Sequence, residues 1–209
     1  MAAPPRRTQA QRREGTIAAL VDAAVTSLAE LGYARTSTAE IARRAGVSQG
    51  GLFRHFESRL DVIVAAADEV RARQFAGFRA GLEALDEFSV AECLRLLRRA
   101  TRAPMNSAWY ELLVAARTDP DLRRRLTPLA ERYHREIVEI GRALPIAASM
   151  PADELDTVVL GIVHMLDGEA IMATVHPHPE QEDLRVEQLV RILAGQPLFD
   201  RESTEPDHH

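Results

Sequence analysis

Apolar residues recur three or four positions apart along almost the whole chain, and no segment alternates apolar and polar residues as a half-buried strand does. Glycine and proline stand mostly between these periodic segments, where they end helices. The pattern predicts an all-α fold without internal repeats. Nine helices are predicted, at about residues 14–31, 38–45, 49–55, 59–82, 89–102, 106–117, 121–144, 152–175 and 180–194.

Polar caps mark the predicted starts of the short helices. Ser37 and Glu40 match a capping box, in which the serine oxygen accepts a backbone N–H of the first turn and the glutamate bonds back to the cap. Ser48 and Ser58 predict the starts of the next two helices. Pro128 falls inside a later helical segment, so the sequence predicts a kink or a break there.

Composition restricts the class of protein. The single cysteine, Cys93, excludes an intrachain disulfide and is expected to act as a small buried apolar residue. Residues 1–15 lack the apolar core of a signal peptide, and the longest apolar run, residues 157–166, is too short to cross a bilayer. We therefore expect a cytoplasmic protein with no membrane partner. Residues 1–12 and 196–209 are expected to be disordered tails.

Charge is distributed unevenly along the chain. Residues 1–59 contain nine arginines and five acidic residues, whereas residues 60–209 contain seventeen arginines and twenty-six acidic residues. A positive end on an acidic chain attracts a polyanion such as DNA, although an excess of this size also occurs on an ordinary solvated surface. The chain contains no lysine, so every fixed positive side-chain charge is an arginine.

The segment from Ser37 to Phe56 contains the most informative motif. Two short helices are joined by a four-residue turn in which Gly46 permits positive φ, and Ala42 is small where the second helix crosses the first. This pattern is typical of a helix-turn-helix, whose second helix enters the major groove of DNA, although short capped helices also occur in ordinary bundles. The positions that would pack the two helices together are Ile41, Ala42, Val47, Leu52 and Phe56.

Many side chains in this part of the chain stand at a fixed spacing: Leu20-Val21-Asp22-Ala23-Ala24, Gly32-Tyr33, Thr36-Ser37, Ile41-Ala42, Ala45-Gly46-Val47-Ser48, Gly50, Leu52, His55-Phe56 and Arg59. Together they resemble the tetracycline-repressor (TetR) family over residues 14–65. The resemblance implies a three-helix, helix-turn-helix DNA-binding domain at residues 13–73, with the motif at about 37–56. A larger helical ligand-binding and dimerisation domain is implied at residues 74–195.

The resemblance assigns DNA contacts to the helix-turn-helix. Hydroxyls and free N–H groups at the start of the second helix favour a phosphate. Gln49 is the predicted reader of a base edge, because a carboxamide pairs bidentately with adenine. Arg43 and Arg44 suit the flanking backbone or an ordinary solvated face. The complete predicted set is Thr36, Ser37, Thr38, Arg43, Arg44, Ser48, Gln49, Gly50, Gly51, Phe53, Arg54, His55 and Arg59.

One position departs from the family pattern. Phe53 stands where the family usually has a tyrosine whose hydroxyl contacts phosphate, and Gly51 offers no side chain to the bases. We therefore expect DNA affinity to rely on arginine–phosphate contacts and to fall steeply with salt.

The resemblance also implies a small-molecule pocket in the second domain. Trp109 and Tyr110 are its leading candidates, because aromatic walls with a polar group suit amphipathic ligands, and His134 and His164 could form a polar pair or a metal site. Taken singly, each candidate residue is more typical of plain core packing than of a ligand contact. The predicted lining residues are Phe75, Phe78, Met105, Trp109, Tyr110, Leu113, Tyr133, His134, Ile137, His164 and Met165.

The last two helices are predicted to form a homodimer interface, since they carry more apolar surface than two terminal helices usually bury. A twofold dimer presents two recognition helices about 35 Å apart, in successive turns of the major groove. The predicted interface residues are Leu155, Val158, Val159, Ile162, Leu166, Met172, Val186, Leu189, Val190 and Leu193.

These expectations combine into a sequence-specific DNA-binding regulator, a repressor that a small-molecule effector releases from a palindromic double-stranded operator. The alternative is a DNA-binding regulator without a small-molecule ligand, controlled by a protein partner or by its own concentration. The sequence contains no nucleophile elbow, P-loop, dinucleotide fingerprint or zinc motif. We therefore predict no enzymatic activity, no catalytic residue, no cofactor and no metal site.

Overall fold

The computed structural model describes residues 8–196, and within that range the chain is helical and has no strand. The all-α prediction is confirmed. A short 3-10 helix, Pro145–Ser149, was not predicted and separates the seventh helix from the eighth. The α-helices of this range are α1 (Gln9–Leu31), α2 (Thr38–Arg44), α3 (Gln49–Leu52), α4 (Arg59–Glu83), α5 (Val90–Thr101), α6 (Asn106–Ala116), α7 (Pro120–Ala143), α8 (Ala152–Ala173) and α9 (Pro179–Leu193).

Helix α1 begins five residues earlier than predicted, at Gln9 instead of Glu14. Thr8 Oγ1 accepts the backbone N–H of Gln11 at 3.2 Å, and Gln11 Oε1 accepts the N–H of Thr8 at 2.9 Å. This capping box satisfies the first free N–H groups of the helix. Residues 9–12, which the sequence assigned to a disordered tail, are therefore helical, and the rest of the predicted tails, 1–7 and 197–209, lies outside the described residues.

The start of α2 corrects part of the predicted capping box. Ser37 Oγ accepts the N–H of Glu40 at 3.1 Å, as predicted. The Glu40 carboxylate, however, bonds to Arg43 and Arg44 and does not return to Ser37. Two guanidinium groups are stronger partners for a carboxylate than one backbone N–H.

The caps of the next two helices lie where the sequence placed them. Ser48 accepts the N–H of Gly51, and Ser58 accepts the N–H of Asp61. Helix α3 is shorter than predicted, because it ends at Leu52 and continues as a turn.

Helix α7 runs unbroken through Pro128, so the predicted break is wrong. The Thr127 hydroxyl donates to the carbonyl of Arg123 at 2.9 Å and does not cap a new helix. Leu126 and Leu129, on either side of the proline, are buried. Their packing offsets the backbone hydrogen bond that the proline cannot donate.

One hydrophobic core extends from α1 to α8. Leu28 of α1, Ile63 of α4 and Leu112 of α6 are fully buried in it, and α2 and α3 are attached to it through Ile41 and Leu52. The helix-turn-helix is therefore held on the same core as the rest of the bundle. No helix among residues 8–196 has the length and apolar content needed to span a membrane.

The predicted domain boundary between Arg73 and Gln74 falls inside α4. This helix has 25 residues and, at about 1.5 Å per residue, a length of roughly 37 Å. It starts directly after the helix-turn-helix and continues along the larger bundle, so no loop separates the two parts at residues 73 and 74. The division into two domains stays a prediction.

A buried ionic cluster joins α8 and α9 to the end of α5. The side chains of Glu169 and Glu182 are buried. Arg102 bonds to Glu169 at 2.9 Å and to Glu182 at 2.8 Å, and Arg185 bonds to the other oxygen of Glu169 at 2.6 Å. Breaking such a buried pair leaves an unpaired charge, which makes the cluster a strong constraint on these three helices.

Candidate DNA interface and ligand cavity

The turn between α2 and α3 fixes how the two helices cross. Gly46 has a φ of 69°, the left-handed conformation that glycine adopts without steric cost. The N–H of Val47 donates to the carbonyl of Ala42 at 3.0 Å. Ile41, Ala42 and Leu52 are buried between the helices and α1. The segment therefore has the geometry of a helix-turn-helix.

The N-terminal ends of α2 and α3 lie side by side. Gln49 Nε2 donates to Thr38 Oγ1 at 2.9 Å, which ties the start of α3 to the start of α2. This bond leaves the Gln49 amide with one free N–H and its carbonyl oxygen. Those two groups are the donor and acceptor that a bidentate pair with adenine requires. Ser37, Ser48, Gln49 and Gly50 are all exposed on this side.

The turn after α3 continues this surface. Arg54 is exposed and pairs with no carboxylate among residues 8–196. The ring of Phe53 is 49% exposed, so its apolar edge faces solvent. His55 is half-buried, and its Nδ1 has no hydrogen-bond partner within the described part of the chain. A Cβ added to Gly51 would approach Ser48 Oγ to 3.3 Å, which makes a small residue favourable there.

Arg43 and Arg44 are held by one carboxylate. Hydrogen bonds from Arg43 and, to a lesser extent, from Arg44 lower the pKa of the Glu40 carboxyl to about 2. Arg44 also bonds to Glu30 of α1 at 2.6 Å. Both arginines therefore lie near the proposed DNA surface with their charge largely neutralised.

Two predicted contact residues point into the protein. Thr36 is buried, and its hydroxyl donates to the carbonyl of Gly32 at 2.8 Å. Arg59 donates to the carbonyls of Thr36 and Tyr33, and its guanidinium lies 4.3 Å from the centre of the Tyr33 ring. Neither side chain is available to a phosphate in this arrangement. We correct their role to fixing the loop between α1 and α2.

A cavity of about 100 Å³ lies between α4, α5, α7 and α8, with the 3-10 helix and the end of α9 at its edge. Aliphatic and aromatic side chains form almost the entire wall. The polar side chains in the wall are Gln74, Cys93 and Tyr133. Burial raises the pKa of the Cys93 thiol to about 11 and also raises the pKa of the Tyr133 hydroxyl, so both groups stay protonated near neutral pH.

Four of the eleven predicted ligand residues line this cavity: Phe75, Phe78, Tyr133 and Ile137. The other seven lie outside its wall: Met105, Trp109, Tyr110, Leu113, His134, His164 and Met165. Trp109 is buried behind Tyr133, with ring centres 5.4 Å apart, and Leu113 faces outward. The Tyr110 hydroxyl donates to Asp167 at 2.8 Å.

The two predicted partner histidines do meet. His134 Nε2 and His164 Nε2 are 3.2 Å apart. Burial and the neighbouring His164 lower the pKa of His134. Residues 8–196 contain no group of three or more His, Cys, Asp or Glu side chains suited to a metal ion. The two imidazoles thus form a polar pair between α7 and α8.

The α5 side of the cavity was missed by sequence reasoning. Val90, Cys93, Leu94 and Leu97 supply this wall. Their spacing of three and four residues marks one apolar face of a helix, which is the signal that could have identified them. Gln74 was missed because a single glutamine in a long helix has no distinctive pattern.

The predicted dimer residues divide into four groups. Leu155, Val158, Val159, Ile162 and Leu193 line the cavity. Leu166 and Val186 are buried within the single chain, and Leu189 and Val190 are half-buried. Only Met172 is freely exposed. The exposed apolar side chains of α8, α9 and the loop between them are Ile171, Met172, Val175, Leu184 and Ile192.

The cavity and the helix-turn-helix share two helices. α4 starts next to the recognition motif and supplies Gln74 and Phe75 to the wall. α7 supplies Tyr133, and its cap Asp119 accepts the Tyr33 hydroxyl at 2.8 Å. Arg125 of α7 also pairs with Asp61 near the start of α4. Both helices therefore contact the cavity as well as the DNA-binding end.

Comparison with known proteins agrees with this arrangement. The family described as bacterial regulatory proteins, tetR family, matches residues 20–66. An HTH-type transcriptional regulator of Mycobacterium tuberculosis is 41% identical over 191 residues, which make up 90% of this chain and 98% of the relative. Salmonella enterica GusR has the same fold, with a TM-score of 0.67 and 19% identity over 91% of this chain and 98% of its own. The multidrug binding protein EbrR, complexed with proflavin, has a TM-score of 0.59 and 22% identity over 85% of this chain and 99% of its own. The family match, the long relative and the shared architecture establish that the chain belongs to the TetR family of DNA-binding transcriptional regulators, which are not enzymes.

Proposed function

We propose that this protein is a repressor that binds a palindromic operator as a homodimer and is released when a small molecule occupies the cavity between α4, α5, α7 and α8. The observation that carries the proposal is the continuity of α4, which runs without a break from the helix-turn-helix to the cavity wall. The proposal includes a cytoplasmic location, which suits a regulator that binds bacterial DNA.

Release requires the effector to bind one conformation better than the other, because only a difference in affinity shifts the equilibrium between them. An effector that spreads the cavity would displace α4 at Gln74 and Phe75. The other end of α4 begins with Arg59, which fixes the loop between α1 and α2. The recognition helices of the two subunits would then lose their spacing on the operator.

Operator recognition is assigned to the exposed face of the helix-turn-helix. Gln49 reads a base edge. The phosphates are contacted by Ser37, Thr38, Ser48, Arg43, Arg44 and Arg54. Gly50 and Gly51 allow the backbone to approach the DNA. His55 and Phe53 lie at the edge of this face. Thr36 and Arg59 do not contact DNA but fix the loop between α1 and α2, next to this face.

The homodimer is proposed to use the exposed apolar side chains of the C-terminal helices. Met172 is 63% exposed and Val175 is 86% exposed, Ile171 precedes them in α8, and Leu184 and Ile192 of α9 are also exposed. Apolar side chains clustered on one face of a single chain indicate an interface. Met172→Glu should give a monomer by light scattering, whereas Val114→Glu, at an exposed apolar position on α6, should leave the dimer intact.

The whole proposal is tested by selecting genomic DNA fragments on the purified protein and titrating candidate effectors against the complex. We expect one palindromic sequence to be enriched and at least one compound to raise the melting temperature while it lowers operator affinity. A protein that selects an operator but responds to no compound would favour control by a protein partner or by concentration. A protein that selects no sequence at low salt would contradict the DNA-binding proposal.

A further inference from the structure

Two polar groups stand together in the otherwise apolar cavity wall. The Gln74 amide on α4 donates from Nε2 to the Tyr133 hydroxyl on α7 at 3.3 Å. The other amide atom, Oε1, is buried and has no hydrogen-bond partner among residues 8–196. Proteins rarely leave a buried amide oxygen unpaired. An unpaired oxygen on a side chain that lines a cavity therefore indicates where a ligand donor would lie.

The Tyr133 ring is held firmly enough to define this position. Its centre lies 5.3 Å from the Phe75 ring and 5.4 Å from the Trp109 ring, and the residue is buried. Aromatic neighbours on two sides restrict the ring to one orientation. The hydroxyl is thus a fixed feature of the wall.

The two side chains together offer one donor and one acceptor. Because Tyr133 accepts from Gln74, its own hydrogen is free to donate, and Gln74 Oε1 is free to accept. If the amide were turned over, Tyr133 would donate to Oε1, which would leave Nε2 free to donate and the tyrosine oxygen free to accept. Both orientations therefore present one free donor and one free acceptor. A single hydroxyl group of a ligand can accept from the donor and donate to the acceptor.

The rest of the wall excludes charge. Within residues 8–196, no Arg, Asp, Glu or His side chain lines the cavity. Burying an unpaired charge there carries a large desolvation penalty. The cavity of about 100 Å³ is also small. An apolar cavity of about 150 Å³ holds one benzene molecule, so a single ring is the upper limit here and its entry requires the wall to move outward.

We propose that the cavity binds a neutral, apolar molecule of about one ring that carries one hydroxyl group, a phenol or a cyclic alcohol, with the hydroxyl bonded to Gln74 and Tyr133. The inference rests on the proposed function in one respect, namely that the bound molecule is the effector. The chemistry of the site itself does not depend on DNA.

Calorimetry on the full chain tests the site with three matched probes: 4-methylphenol, toluene and 4-methylbenzoate. We expect 4-methylphenol to bind at least tenfold more tightly than toluene, and 4-methylbenzoate not to bind. Tyr133→Phe and Gln74→Met keep the size of the wall but remove a polar partner, so each should reduce the preference for the phenol to less than threefold. Tyr110→Phe removes a tyrosine hydroxyl outside the wall and Gln188→Met replaces an exposed glutamine, so both controls should keep it.

Three results would overturn the inference: equal affinity of the wild type for 4-methylphenol and toluene, a preference that survives in both cavity variants, or no binding of either neutral probe. Circular dichroism of each variant shows whether it folds, and the probe comparison in the wild type is independent of folding defects. An operator titration separates the two proposals. If the phenol binds with the expected preference and leaves operator affinity unchanged, the cavity chemistry is supported and the proposed release is contradicted.

Discussion

The Tyr33 hydroxyl donates to the Asp119 carboxylate at 2.8 Å and joins the loop after α1 to the cap of α7. The hydrogen bond from the Leu122 N–H and, to a lesser extent, the one from this hydroxyl lower the pKa of Asp119. The carboxylate is therefore charged near neutral pH. The Tyr33 N–H also donates to Glu111 of α6 at 3.2 Å. One residue of the DNA-binding end is thus bonded to two helices of the larger bundle.

Tyr33→Phe should weaken this connection without removing the ring that lies on Arg59. A partly buried hydrogen bond to a charged group is worth about 1–2 kcal/mol, and stability should fall by about that amount. The effect of an effector on operator affinity should also fall. Urea unfolding of Tyr33→Phe, Asp119→Asn and the double variant measures the coupling, since asparagine can still cap α7. Strictly additive effects would show that the two residues do not interact.

Glu40→Gln should strengthen DNA binding. The carboxylate, with its pKa lowered to about 2, is charged at every working pH and neutralises Arg43 and Arg44. Replacing it frees the guanidinium group of Arg43 for a phosphate, whereas Arg44 keeps its pair with Glu30, so the slope of log K against log salt should steepen by about one unit. Glu92→Gln is the matched control, because Glu92 pairs with Arg95 in the same way on α5. An unchanged slope in Glu40→Gln would contradict the placement of these arginines at the DNA.

Gln49→Ala and Arg54→Ala should have different consequences for operator binding. Loss of a bidentate base contact should relax discrimination at one base pair in each half-site by about 1–3 kcal/mol. Loss of a phosphate contact should weaken all sequences alike and reduce the salt slope by about one. Competition binding with single-base operator variants measures both effects. The assignment fails if Gln49→Ala retains full discrimination at every position.

The Asp167→Asn substitution should raise the free energy of unfolding, and this gain should be larger at high pH than at low pH. Burial raises the pKa of Asp167 above its ordinary value, and the hydrogen bond from Tyr110 offsets this only in part. A carboxyl pKa that is raised in the folded protein means that the charged carboxylate destabilises the fold. This destabilisation is absent below the pKa of the unfolded chain, near 4, and is complete above the pKa of the folded protein. Asparagine keeps the acceptor for Tyr110 and removes the charge. Urea unfolding at pH 4 and pH 8 checks this, and a gain that is larger at pH 4 would have the wrong sign.

Local signals explain what the sequence predicted well. Helix starts at Ser37, Ser48 and Ser58 depend on a few adjacent atoms, and the left-handed Gly46 depends on its own backbone. Predictions that required tertiary packing were less accurate. An apolar residue such as Ile162 has the same pattern whether it faces a second chain or a cavity, and the sequence could not distinguish the two. Arg59 looked like a phosphate contact because its two carbonyl partners and the Tyr33 ring are assembled only by the fold.

The ionic cluster of Arg102, Glu169, Glu182 and Arg185 makes one half of the cavity stiff. It fastens α5, α8 and α9 to each other, and separating these helices would leave the buried carboxylates of Glu169 and Glu182 without their arginine partners. Under the proposed function, we expect a molecule that enlarges the cavity to displace the opposite side, where Arg71 and Glu136 join α4 and α7 to each other. Both of these helices also contact the DNA-binding end, α4 through Arg59 and α7 through Asp119, so the proposed release predicts movement at the DNA and an intact C-terminal face.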